Sequence, residues 1–309
     1  MSRLVRFHQF GGSDVLITED LETSQPDAGE VLVAVHAASV NPVDFKIRSG
    51  KYPAVKSDRL PYTLGRDVSG TIEKCGAQAT RFKVGDQVFG MVGIHGGGYA
   101  DRAVVNQTSI AAKPARLDHA HAAAIPLAGQ TAWQGLFRYG LLKEGQSVLI
   151  HGGSGGVGHF AIQFAKAMGA HVLTTVSADK VKLASELGAD VVIDYRTERF
   201  EEHVSRVDMV FDLIDGETRE RSWDLIKKGG VLVSTLTEPS QKIAEKWGVR
   251  AMRYTVEANG NELAGITALV DAGKVRPHVD RTFPLSAAAE ALSLVEQGHS
   301  AGKVVLVAN

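Results

Sequence analysis

Residues 151 to 160 read HGGSGGVGHF, five glycines in ten positions, flanked by the apolar runs SVLI and AIQFA. Gly153, Gly155 and Gly158 satisfy G-x-G-x-x-G, with Ser154, Gly156 and Val157 filling the turn. In that pattern one glycine permits a tight turn, the next lets backbone approach a pyrophosphate, and the third lets a helix sit close to a strand. The helix N-terminus then faces the phosphates. Val157, Phe160, Ala161, Phe164, Ala165 and Met168 follow at i, i+3, i+4, i+7, i+8 and i+11, which predicts a helix with one apolar face directly after the turn. Glycine costs ~0.5–1 kcal/mol relative to alanine in regular structure, so a cluster placed between a strand and a helix points to dinucleotide binding.

The next strand end selects the dinucleotide. A site for the unphosphorylated form usually carries an acid there, about 20 residues beyond the fingerprint. Here the stretch is TTVSADK, with Ser177 at the strand end and Lys180 just beyond it. A hydroxyl and an ammonium can hold a 2′-phosphate that an acid would repel, so NADPH is the expected cofactor. Asp179 stands against this, because a small shift in register gives it the ribose. Tyr195 and Arg196, after DVVID, add a hydroxyl and a cation near the same corner, or belong to a surface loop.

These residues need a parallel sheet to position them. Six strand-like runs alternate with helical segments from about residue 124: SVLIHG (147–152), HVLTTV (171–176), DVVID (190–194), DMVFDLI (208–214), GVLVST (230–235) and RAMRYTV (250–256). Such alternation requires crossover connections, hence a doubly wound α/β sheet. Before it, short runs such as VLVAVHAASV (31–40), VSGTIEKCG (68–76), DQVFGMVG (86–93) and YADRAVVN (99–106) are broken by Gly, Pro, Asp and Asn and read as mostly β. A helix near 261–272, the extended HVDRTFPL, a helix at 286–297 and a last strand KVVLVA (303–308) close the chain. That last strand is expected to pair with the N-terminal β region, making the β domain discontinuous: 1–123 with 273–309, around a Rossmann domain at 124–272.

Composition narrows the partners. The 309 residues carry 34 Lys and Arg against 35 Asp and Glu, a net charge of -1 with signs interspersed, which offers no electrostatic footprint for nucleic acid or an anionic membrane. A small molecule is the expected partner. The single cysteine, Cys75, can form neither an internal disulfide nor a multi-cysteine zinc site, and it reads as a small core or turn residue. No apolar run reaches the roughly 20 residues that span a bilayer, and MSRLVRFHQF lacks a signal-peptide core, so a cytoplasmic protein is expected. His95, His119 and His121 are not spaced as ligands, and no metal is assigned.

The segments NPVDFKIRSG (41–50), LPYTLGRDVSGTIEKCG (60–76), FKVGDQVFG (82–90), IPLAGQTAWQGL (125–136) and HGGSGGVG, in this order, resemble the medium-chain dehydrogenase/reductase superfamily. The resemblance is greatest to its zinc-free branch of quinone oxidoreductases and enone reductases. It implies a GroES-like β domain with a Rossmann domain, and a homodimer. Positions matching the catalytic zinc ligands of other relatives are Asn41 and Arg66, and neither an amide nor a guanidinium suits zinc.

The resemblance also implies site residues. Asn41 matches an asparagine near the nicotinamide, Tyr52 a pocket tyrosine, and Lys46 the lysine of the enone reductase pattern NPVDxK. Hydride transfer needs a donor for the oxygen that becomes negative, and Tyr52 with Lys46 is expected to supply it while hydride passes to a quinone or an α,β-unsaturated carbonyl. The alternatives are a solvated lysine and a tyrosine whose hydroxyl meets only water. Thr131 matches a threonine at the nicotinamide or phosphate edge, or caps a helix. Ser234 and Thr235 end the fifth strand, where backbone contacts under the nicotinamide are expected. Lys303 matches a cofactor-side lysine, or begins an edge strand. An NADPH-binding sensor or a structural, crystallin-like protein with little turnover would carry the same glycines, and a zinc alcohol dehydrogenase is opposed by the missing ligands.

Overall fold

The computed structural model describes residues 1–94, 97–298 and 300–308. The chain forms two compact units: Met1–Gln130 with Ala258–Gly273 and Pro277–Asn309, and Thr131–Glu257 with Lys274–Arg276.

The first unit is built on a seven-stranded sheet. Its main path runs Val279–Pro284, Lys303–Val307, Glu30–Val40, Asp67–Cys75, Gln87–Met91, Ile110–Ala112, and Arg102–Asn106 pairs with the long strand Glu30–Val40. Lys303–Val307 runs antiparallel to that strand, with Val304 opposite Val40 and Leu306 opposite Ala38, so the last strand does join the N-terminal β region. Val31, Val33, Val68, Ile72, Val88 and Leu306 are among the buried residues of the core. The β-branched valines and Ile72 among them fit a pleated surface covered by neighbours.

The sequence NPVD starts a short helix, Pro42–Arg48, at the end of the long strand. Asn41 takes the extended N-cap conformation, proline occupies the first turn where its missing N–H costs nothing, and the Asn41 N–H donates to Asp44 Oδ2 at 2.8 Å.

The second unit carries a six-stranded, wholly parallel sheet in the order Val191–Asp194, His171–Val176, Ser147–His151, Val207–Asp212, Ile226–Ser234, Arg250–Arg253. In chain order this is 3-2-1-4-5-6, the doubly wound Rossmann arrangement. The order reverses between Ser147–His151 and Val207–Asp212, and the glycine turn follows the first of these.

Three expectations shift. Helix Gly260–Asp271 belongs to the first unit, because Thr267 donates to the Ala112 carbonyl at 3.3 Å and Gly260 lies so close to Ile110 that a Cβ would be 2.3 Å from its carbonyl oxygen. Residues 124–130 also lie there rather than with the Rossmann sheet. Met168, at the C-cap of helix Gly158–Ala167, is exposed, whereas Phe160, Ala161, Phe164 and Ala165 are buried as the periodicity predicts.

Candidate functional site

The glycine turn shows what each glycine does. Positive φ falls on Gly152 (78°), not on Gly153, so Gly152 makes the tight turn. Gly153 is required by packing instead: a Cβ there would meet Thr174 Oγ1 at 2.0 Å. A Cβ on Gly158 would lie 2.2 Å from the Gly152 carbonyl oxygen, so this glycine allows the helix to sit on the strand end. Gly155 differs, for its Cβ would meet only the Gly152 carbonyl oxygen, at 3.4 Å. The space in front of Gly155 is open. The N–H groups of Ser154, Gly156 and Val157 donate to no protein acceptor among the described residues. A turn with free amides, open space and a ten-residue helix behind it could hold an anion.

His151, which the sequence reading passed over, braces this turn. It is fully buried, with Nδ1 3.1 Å from Thr175 Oγ1 and Nε2 2.9 Å from Ser222 Oγ. The Ser222 hydroxyl donates to the Thr218 carbonyl, so it accepts from Nε2–H, and Nδ1 accepts from Thr175. Burial pulls the imidazole down to about 3, and it is neutral at physiological pH.

Beyond the second strand, Ser177 and Lys180 converge, but on Asp179. Ser177 Oγ donates to Asp179 Oδ1 at 2.6 Å, and Lys180 Nζ lies 3.0 Å from Oδ2. The Tyr195 N–H donates to the Val176 carbonyl at 3.1 Å, which sets Tyr195 at the neighbouring strand end. Its ring is exposed and lies 5.8 Å from the Arg196 guanidinium. At the fifth strand end, the buried Ser234 hydroxyl donates to Asp212 Oδ2 at 3.0 Å and Thr235 is half-buried. Thr131 lies inside helix Pro126–Trp133, buried, so it does not cap that helix, and its carbonyl accepts from the Tyr254 hydroxyl.

In the first unit the expected polar residues separate into two pairs. Asn41 and Lys303 are buried and committed. Asn41 Nδ2 donates to Asp67 Oδ2 at 2.8 Å and to the Ser39 carbonyl at 3.3 Å, while Lys303 Nζ donates to Asn41 Oδ1 and to the Val40 carbonyl. Asp67 also accepts from Ser39 Oγ (2.6 Å) and from the Leu127 N–H (2.8 Å). Asn41 therefore has no amide hydrogen left for a substrate oxygen. Lys303 is an internal cation rather than the start of a plain edge strand, and burial pulls it down while Asp67 and Asp44 push it up. Asp44, which accepts from Tyr99 at 2.9 Å, is raised by burial to about 6.

Lys46 and Tyr52 are the free pair. Lys46 is exposed on helix Pro42–Arg48, and Tyr52 packs its half-buried ring on the core just beyond. Neither the Lys46 ammonium nor the Tyr52 hydroxyl has a hydrogen-bond partner among the described residues.

The positions matched to zinc ligands do not fit that metal. The Asn41 amide is bonded to a carboxylate and a carbonyl, and Arg66 Nε donates to the Val92 carbonyl at 3.1 Å. Zinc needs thiolate, imidazole or carboxylate donors. His119 shares Nδ1 with Ser69 Oγ at 2.8 Å, His121 pairs with Asp118, and Cys75 is half-buried with Sγ 3.7 Å from the Phe82 carbonyl. His95 lies outside the described residues.

Comparison with known proteins places this geometry. Residues 27–115 match the alcohol dehydrogenase GroES-like domain, and residues 187–306 match the family described as zinc-binding dehydrogenase. The mitochondrial NAD(P)H oxidoreductase RTN4IP1 of Homo sapiens is 37% identical, over 90% of this chain and 81% of its own. The chloroplastic NADPH-dependent alkenal/one oxidoreductase of Arabidopsis thaliana is 36% identical, over 97% of this chain and 78% of its own. The solved quinone oxidoreductase of Coxiella burnetii superposes with a TM-score of 0.92 at 35% identity, covering 100% of this chain and 99% of that one. The chain belongs to the medium-chain dehydrogenase/reductase family, in the branch of the quinone oxidoreductases and enone reductases.

Proposed function

We propose that this protein is an NADPH-dependent oxidoreductase that reduces quinones or α,β-unsaturated carbonyl compounds without a catalytic metal. The observation that carries this reading is the glycine turn, with its three free amides and the open space before Gly155. The names of its relatives, an NADPH-dependent alkenal/one oxidoreductase and a quinone oxidoreductase, support the reaction class.

Bound NADPH supplies a hydride to the acceptor. The chain does the rest. Gly153–Gly158 holds the pyrophosphate with backbone N–H groups, which carry the helix's positive end to the anion. Ser177, Lys180 and Tyr195 form the corner for the 2′-phosphate. Ser234, Thr235 and Thr131 belong to the nicotinamide side. Lys46 and Tyr52 have unspent donors, and they stabilise the acceptor oxygen as it becomes an enolate or hydroquinone oxygen. Solvent then delivers the proton. Asn41 and Lys303 act by position, linking Asp67 to the end of the long strand rather than touching the reacting oxygen. A cytoplasmic homodimer is part of the same proposal.

The test is NADPH oxidation, with NADH in parallel and a chelator present, against an ortho-quinone and a short-chain enone. Faster NADPH turnover, unaffected by the chelator, supports the proposal, and the better acceptor names the branch. Tight NADPH binding without reduction of either acceptor refutes it in favour of a sensor.

A further inference from the structure

Ser177 and Lys180 supply a hydroxyl and an ammonium, the donor pair that suits a phosphate, yet both are engaged within the chain. Each oxygen of the Asp179 carboxylate is taken by one of them, Oδ1 by Ser177 at 2.6 Å and Oδ2 by Lys180 at 3.0 Å. The backbone reinforces the arrangement: the Lys180 N–H donates to the Ser177 carbonyl at 2.8 Å, closing the single turn Ala178–Lys180 against the end of strand His171–Val176. The Asp179 side chain is 61% exposed, so it can leave for water without disturbing the core. Its two donors hold it below the usual carboxylate range, the Ser177 hydroxyl first, so it is anionic at neutral pH.

We propose that Asp179 is a removable stand-in for the 2′-phosphate, and that its displacement sets how strongly the protein prefers the phosphorylated dinucleotide. This rests on the reading that Ser177 and Lys180 form the 2′-phosphate corner. NADPH must expel one anion from these donors to seat another, and the released carboxylate stays nearby and repels it. NADH has no such group to seat, so it leaves the Ser177–Asp179–Lys180 cluster intact. Asp179 therefore narrows the gap between the two cofactors.

The experiment is calorimetric titration of the full chain and its Asp179→Asn variant with NADPH, NADH and 2′-AMP, at low and high salt. The amide keeps the shape and removes the charge. Because the cluster is exposed and screened, the expected effect is roughly threefold to tenfold tighter NADPH and 2′-AMP, with NADH within about twofold and a smaller gain at high salt. Unchanged or weaker NADPH binding overturns the proposal. So does a large loss of NADH affinity alone, which would make Asp179 a ribose ligand. Lys180→Met separates the two levels of the inference. If it weakens NADPH but Asp179→Asn does not tighten it, only the stand-in falls; if it leaves NADPH unchanged, the 2′-phosphate corner itself is elsewhere.

Discussion

Replacing Gly155 by alanine should separate folding from cofactor binding, because different contacts constrain the two ends of the glycine turn. An alanine at Gly158 would force its Cβ to 2.2 Å from the Gly152 carbonyl oxygen and 2.7 Å from the Gly153 Cα, both backbone atoms that cannot rotate away. Turn and helix must part by about 1 Å, and overpacking of that kind costs about 1–3 kcal/mol. For a unit of this size, the middle of that range lowers the unfolding midpoint by roughly 4–8 °C. Gly155→Ala carries no such cost, since its Cβ meets only one oxygen at 3.4 Å and its φ is not positive. The cofactor-free midpoint should stay within about 1 °C, or rise slightly as the unfolded chain loses freedom. Its methyl group would nevertheless fill the space through which a pyrophosphate reaches the free amides. Losing one or two charge-assisted hydrogen bonds, at about 1.5–3 kcal/mol each, weakens NADPH at least tenfold. Calorimetric titration with NADPH and thermal unfolding without it measure the two effects independently. A Gly155→Ala variant that binds NADPH within twofold of wild type would refute the assignment of this turn to the pyrophosphate.

Tyr52→Phe removes one unspent donor and should lower kcat on an enone roughly 100-fold or more while leaving NADPH affinity unchanged, from the ~2.7–4 kcal/mol such donors supply. An unaltered kcat would mean that the hydroxyl does not face the reacting oxygen. pH should act on stability through two buried groups of opposite sign. His151 titrates near 6.5 when unfolded and at about 3 in the fold, so its contribution is full above pH 6.5 and drains as pH falls through that interval, by up to ~1.4 kcal/mol per unit. Urea midpoints of wild type and His151→Gln should converge from pH 7.5 to 4.5, and parallel curves would sink the argument. Asp44 is raised from 3.8 to about 6, so its contribution is full below pH 3.8 and is lost as pH rises through 6; Asp44→Asn should gain on wild type from pH 4.5 to 7.

Much of the second unit was legible in the sequence, because the signals there are local. Glycine spacing, the apolar periodicity of helix Gly158–Ala167 and the alternation of strands with helices each occupy a short window, and backbone sterics make each window specific. What escaped depended on residues far apart in the chain. Nothing near His151 indicates that Ser222, 71 positions later, fixes its tautomer. Nor could Asn41, read from its neighbours, be known to spend its amide on Asp67 and Lys303, residues 26 and 262 positions away. Even the roles inside the glycine turn shifted by one residue, because Thr174 on the next strand, not the turn, excludes a side chain at Gly153. Residue type and spacing determined the sheet, the turn and the kind of ligand they suit. Tertiary packing alone decided which polar groups are spent inside the protein and which, like Lys46 and Tyr52, keep a hydrogen bond to give, because buried donors and acceptors must pair with whatever the fold brings beside them.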